Sequence, residues 1–131
     1  IPTSALPEAL RRIAEITASH GLRVANVFHA GDGNLHPLIM FDANTPGDLA
    51  RAEACGAEIL SLCVDLGGCL TGEHGVGVEK RDLMHRQYGR DDLDAQMAVK
   101  DVFDPDWRLN PAKVFPLDAS AARRARPVAA E

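Results

Sequence analysis

Two histidines, His29 and His36, stand on either side of the short run Gly31-Asp32-Gly33-Asn34 in the stretch HAGDGNLHP. If the flanking residues are antiparallel strands, the turn folds one imidazole back beside the other. Two imidazoles on adjacent strand ends are good ligands for a divalent ion, and the small turn residues let the backbone bend where larger side chains would clash. Alone, the pair reads more readily as two hairpin histidines hydrogen-bonded to nearby carbonyls. A third group shifts the balance. In Gly72-Glu73-His74-Gly75 a carboxylate and an imidazole sit side by side among glycines. Two histidines and one carboxylate form a ligand set for zinc, iron or manganese that leaves positions open for water or substrate. His74 would then stay unligated as a base beside the ion. The plainer readings make Glu73 a capping or ion-pair carboxylate and His74 a satisfied loop histidine, and local spacing alone does not bring this loop to the hairpin.

Other chemistry-bearing residues carry less. Gly75-Val76-Gly77 lacks the GxxxxGKS/T pattern of a phosphate loop. His20 reads as a capping histidine at the C-terminal end of a helix and His85 as a surface residue. Cys55, Cys63 and Cys69 are odd in number and have no CxxC spacing, which fits reduced thiols, the first two in a helical core.

The elements that must hold these groups follow from apolar periodicity and punctuation. Leu10, Ile13 and Ile16 at helical spacing, with Pro7 in the first turn and Gly21 past the end, predict a helix over 7–19. Residues 22–29 and 35–41 alternate as strands, with Pro37 confined to an edge or a strand start. Thr45-Pro46 opens the next helix as N-cap and first helical residue. Its buried stripe would be Leu49, Ala52, Ile59, Leu60, Cys63 and Leu66, and Gly67-Gly68 would end it. Residues 78–88 read as a short helix. Asp91 or Asp92 would cap another running to Phe103, and 109–115 read as extended.

The chain has 131 residues and a formal net charge of -5. That length suits one domain with a real core, and the charge disfavours nucleic acid as a partner, since phosphate backbones attract clustered positive charge. No apolar run is long enough to span a bilayer and no signal peptide is read. A cytoplasmic location follows as an expectation. Two strands make a marginal sheet and the first residue is Ile1, so the chain is expected to be processed, part of a larger domain, or paired with a second copy.

Three ordered motifs, HAGDGNLHP, then GEHGVG, then DPDWRLNPAKVF, resemble the C-terminal domain of FAD-linked 2-hydroxyacid oxidoreductases. Within that family the likeness is nearest to the FAD-linked subunits of glycolate oxidases, with D-lactate and D-2-hydroxyglutarate dehydrogenases as relatives. The resemblance implies an α+β fold, a ferredoxin-like antiparallel sheet with helices, forming part of the cap domain over residues 1–117; the alanine- and arginine-rich residues 118–131 read as a flexible tail. It implies FAD, bound mainly by an N-terminal domain of the vanillyl-alcohol oxidase type in the same polypeptide. It implies a divalent metal on His29, His36 and Glu73, His74 as the catalytic base, and Asn34, Asn110 and Lys113 facing flavin or substrate. The expected activity is oxidation of a short 2-hydroxy acid to the 2-keto acid, with electrons leaving through an iron–sulfur subunit, a second flavin subunit, or both, and membrane association only through such partners. No flavin-binding domain is read in the chain, so alone it is expected to be inactive. A non-catalytic cap or oligomerisation module and a metal-dependent hydrolase are the alternatives. One position departs from the family pattern. Its last motif has glycine where this chain has Ala112, and a positive φ there would be costly for alanine.

Overall fold

The computed structural model describes residues 1–124, in two compact units, Ile1–His74 and Gly75–Glu131. The first unit opens with helix α1 (Leu6–Ser19), continues through strands β1 (Arg23–His29) and β2 (Asn34–Met40), and reaches helix α2 (Asp48–Asp65). The order helix, strand, strand, helix matches the inner four elements of a β-α-β-β-α-β unit, so the α+β class holds. The described residues pair two strands, antiparallel, from Arg23 opposite Met40 to His29 opposite Asn34.

Helix α1 buries Ala9, Ile13, Ile16 and Thr17, one stripe at intervals of three and four. The Thr17 hydroxyl donates back to the Ile13 carbonyl at 2.9 Å. Both long helices end in Schellman turns. Leu22 N–H bonds Thr17 O and Gly21 N–H bonds Ala18 O after α1, while Gly68 N–H bonds Cys63 O and Gly67 N–H bonds Val64 O after α2. His20 holds the C-cap position, but its ring pairs with Glu58, 2.9 Å away, and not with helix carbonyls.

Helix α2 starts later than Thr45-Pro46 suggests, with Gly47 as its N-cap. The Asp42 carboxylate explains the shift. It accepts the Asn44 N–H and the Thr45 hydroxyl, so Thr45 is turned toward Asp42 in a turn before the helix and away from the helix N–H groups. Of the expected stripe, Ala52, Ile59 and Cys63 are buried, Leu60 and Leu66 are half-buried, and Leu49 is exposed. Cys55 and Leu62 complete the buried face. The core joins Ile13, Ile16 and Leu22 to Ala52, Cys55, Ile59, Leu62 and Cys63, with Val24, Leu35 and Ile39 of the hairpin packed against it. Burial pushes the Cys55 and Cys63 thiols up, which keeps them protonated and inert.

In the second unit, residues 78–88 form a 3-10 turn (Arg81–Leu83) and the short helix α3 (Met84–Gln87), and α4 runs Arg90–Phe103. Gly89 caps α4, its N–H bonded to the Asp92 carboxylate at 3.0 Å. Beyond α4, Asp104 organises the chain. Its buried carboxylate takes Lys100 Nζ at 2.7 Å and the N–H groups of Arg108 and Leu109. Lys100 also lies 5.2 Å over the Trp107 ring, which packs on Phe115 with centroids 5.8 Å apart. Residues 109–115 are not extended. Asn110, Ala112 and Val114 have φ of 46°, 60° and 67°, held by Val114 N–H on Gly77 O and the Arg81 guanidinium on Ala112 O. Helix α5 (Leu117–Arg124) occupies the start of the expected tail, and residues 125–131 lie outside the described residues.

Two outcomes follow for this unit. The left-handed backbone at Ala112 suits glycine, so Ala112→Gly should raise stability by about 0.5–1 kcal/mol in denaturant titration. The Lys100 ammonium beside Asp104, with its two backbone donors, holds the carboxyl below the ordinary carboxylate range. Its contribution is therefore present above the unfolded value of about 4 and lost as pH falls through the folded value. Asp104→Asn should lower the melting temperature at pH 7, and the gap to the unsubstituted chain should narrow by pH 3.

Candidate functional site

The strand register decides which side chains share a face. Side chains alternate along each strand, so His29 and Val27 of β1 join His36 and Leu38 of β2 on one face, with Val27 directly opposite His36. The helices take the other face, through Val24, Leu35 and Ile39. The two imidazoles are diagonal neighbours at the open mouth of the hairpin, their rings edge-to-face at 5.4 Å.

The turn between them is tight and locked from outside. Asp32 N–H bonds His29 O, and Gly33 has φ +70°. A Cβ on Gly33 would stand 1.9 Å from the Ile1 carbonyl oxygen, and the Ile1 amino group donates to Gly33 O at 2.9 Å. Residue 33 must therefore be glycine both for its backbone angle and for the segment lying against it.

After the end of α2, the chain from Gly68 to His74 returns to the hairpin mouth. It comes so close at Gly72 that an added Cβ would lie 2.2 Å from Asn34 Oδ1. That approach delivers Glu73. Its Oε1 lies 3.2 Å from His36 Nε2 and 3.3 Å from His74 Nε2, and the His36 and His74 rings are 5.3 Å apart. One ligand atom from each of His29, His36 and Glu73 lies within 4.8 Å of the other two. Donors at 2.0–2.2 Å from a common tetrahedral ion stand about 3.4 Å apart, so the trio would have to draw together by up to about 1.4 Å to share one divalent ion. His74 lies outside that trio and shares its carboxylate. Its side chain is 69% exposed, against 50% for Glu73 and 20% for His36.

The structure thus gathers His29, His36, Glu73, His74 and Asn34 in the first unit. Asn34 turns its amide to Gly72, a packing role that motif reading alone does not reveal. Asn110 and Lys113 belong to the second unit, in the left-handed stretch described above. His85 pairs with Asp118 at 3.2 Å, holding that carboxyl below its usual range. Gly72 is the residue sequence reasoning underused. Its signal was present as a glycine directly before a glutamate, where no helix or hairpin calls for one.

Residues 1–114 match the family described as FAD linked oxidases, C-terminal domain. The chain is similar to the glycolate oxidase subunit GlcD of Escherichia coli (strain K12), 56% identical over 116 residues, covering 88% of this chain and 23% of that protein. It is similar to glycolate oxidase subunit GlcD of Bacillus subtilis at 38% identity, covering 91% of this chain and 25% of that protein. To the mitochondrial D-lactate dehydrogenase [cytochrome] of Kluyveromyces lactis it is 33% identical, covering 90% and 20%. The chain therefore spans at most about a quarter of the length of these curated relatives. With a match over most of its length, and with the α+β layout described above, the chain belongs to the C-terminal domain family of FAD linked oxidases.

Proposed function

We propose that this chain is the substrate-side part of an FAD-dependent enzyme that oxidises a short 2-hydroxy acid, of the glycolate or D-lactate type, to the 2-keto acid. The observation that carries the reading is the convergence of His29, His36 and Glu73 on one sheet face with His74 beside them. The names of the relatives, glycolate oxidase subunit and D-lactate dehydrogenase, point the same way.

In this reading His29, His36 and Glu73 hold a divalent ion, zinc, manganese or iron, whose donor set suits all three. When bound, the ion would supply Lewis acidity to the substrate hydroxyl and the flavin would supply the redox chemistry. His74 would take the hydroxyl proton at Nδ1, while the Glu73 carboxylate, 3.3 Å from Nε2, orients the ring and stabilises the imidazolium that forms. Asn34 sets the height of the loop carrying both residues. Asn110 and Lys113 are assigned flavin- or substrate-facing roles from their motif. The partners of the reading are an FAD-binding domain in the same polypeptide and iron–sulfur or second flavin subunits, with a second copy of the chain as a further candidate. Among the described residues no helix is long and apolar enough to cross a membrane, so a cytoplasmic enzyme would reach a membrane through those subunits.

Two measurements test this. In equilibrium dialysis the chain should bind one divalent ion, His36→Ala should abolish binding, and Gly72→Ala should weaken it by about 10–100-fold by lifting Glu73 away; binding that survives His36→Ala would remove the assigned ligand set. In the full-length flavoenzyme, His74→Gln should lower kcat by about 100–10,000-fold with metal content unchanged. Retained turnover would remove His74 as the base.

A further inference from the structure

The sheet face that carries the histidines is apolar where an exposed face should be polar. In a hairpin with one packed face, the other normally carries polar side chains. Here the helices cover Val24, Leu35 and Ile39, yet the opposite face presents Val27, Leu38 and Met40, which are 54%, 53% and 42% exposed. Val27 lies directly across from His36 and two residues before His29, while Leu38 follows His36 by two and lies across from Ala25. Directly paired side chains stand about 4.5–5.5 Å apart at Cβ, and neighbours two along a strand about 7 Å. Val27 and Leu38 are thus the first apolar groups on that face beside the donor cluster. Met40, four residues from His36, is about 13 Å along the strand. The one cation in these strands on the same face is Arg23, across from Met40 and about 20 Å from His29 along the strand.

Resting on the functional reading above, we propose that Val27 and Leu38 form the wall that receives the substituent on the hydroxyl-bearing carbon of the substrate. A 2-hydroxy acid held by its hydroxyl and carboxylate at the His–His–Glu cluster turns its remaining substituent within a few ångströms of the ligands. On the sheet side that substituent meets a valine and a leucine. A hydrogen, as in glycolate, leaves the wall unfilled; a methyl or ethyl group buries against it. On these two strands a second carboxylate meets no cation, since Arg23 lies about 20 Å from His29. The wall therefore favours short 2-hydroxy acids with small apolar side chains over glycolate and offers a second carboxylate no partner.

The test uses the full-length flavoenzyme with glycolate, D-lactate, D-2-hydroxybutyrate and D-2-hydroxyglutarate. In the unsubstituted enzyme kcat/KM should rise by about fourfold for each added methylene and fall for the dicarboxylate. Val27→Ala and Leu38→Ala should each lower the 2-hydroxybutyrate-to-glycolate ratio of kcat/KM by about three- to tenfold. Val27→Thr keeps the shape of the side chain and should lower the ratio in the same direction, which separates lost contact from lost folding. Ratios unchanged in all three variants, in an enzyme that oxidises the acids, would overturn the wall while leaving the functional reading intact. Loss of flavin or of a subunit in all three would show that protein covers this face, and would overturn it equally. An unsubstituted enzyme that oxidises none of the acids would overturn both.

Discussion

Every group at the candidate site depends on strand register. Because the side-chain period is two, a slip of one residue in either strand would turn its imidazole toward the helices. The register is fixed by burial. Val24, Leu35 and Ile39 pack, partly buried, against the core that holds Ile13, Ile16 and Ile59, and fully burying such a side chain is worth about 1.5–3 kcal/mol. A slipped β2 would move Leu35 and Ile39 out and bring His36 into an aliphatic core, where an imidazole without partners is costly. The hydrophobic core therefore holds the geometry of polar groups that lie on the opposite side of the sheet.

A second constraint brings the carboxylate to the histidines. The Schellman turn at the end of α2 reverses the chain, and the stretch from Gly68 to Glu73 then passes within van der Waals distance of Asn34 at Gly72. At both Gly33 and Gly72 the missing Cβ is what allows the approach, to Ile1 in one case and to Asn34 in the other. The result is a carboxylate oxygen flanked by two imidazoles at 3.2 and 3.3 Å. One of those imidazoles is fixed on a strand, and the other sits on an open loop. In the proposed reading the first would be a rigid ligand and the second an accessible base, a division of labour that suits proton abstraction next to a bound ion.

The sequence made some of this legible and hid the rest for physical reasons. His29 and His36 could be paired because two short alternating runs around a glycine-rich turn have few other ways to fold. Glu73 could be named only as a candidate, since a contact between Gly72 and Asn34 leaves no trace in local periodicity. The start of α2 was misplaced because Asp42, upstream of the helix, takes the hydroxyl that would have capped it. Leu49 joined the expected stripe by its type, but the buried face runs instead through Cys55 and Leu62. The stretch 109–115 contains one proline and no glycine, which favours an extended reading. Its left-handed residues are imposed by bonds from Gly77 and Arg81, which propensity does not record. Ala112 is the exception, because a glycine expected from the family motif already pointed to a positive φ there.

An apolar wall beside a charged cluster has an electrostatic consequence. While the face is open, water around Val27 and Leu38 screens Glu73 and its two imidazoles. A substrate side chain laid over those residues removes that water, and interactions among the charged groups strengthen as the local dielectric falls. The gain is largest where charge changes during the reaction, at the imidazole that accepts the proton and the carboxylate that supports it. A substrate too small to cover the wall would leave the cluster better hydrated, and the proton transfer less assisted. In the proposed reading, selectivity for an apolar substituent and activation of the base would be two effects of one surface, since Val27 and Leu38 stand on the strands that carry His29 and His36, against which the loop of Glu73 and His74 is laid.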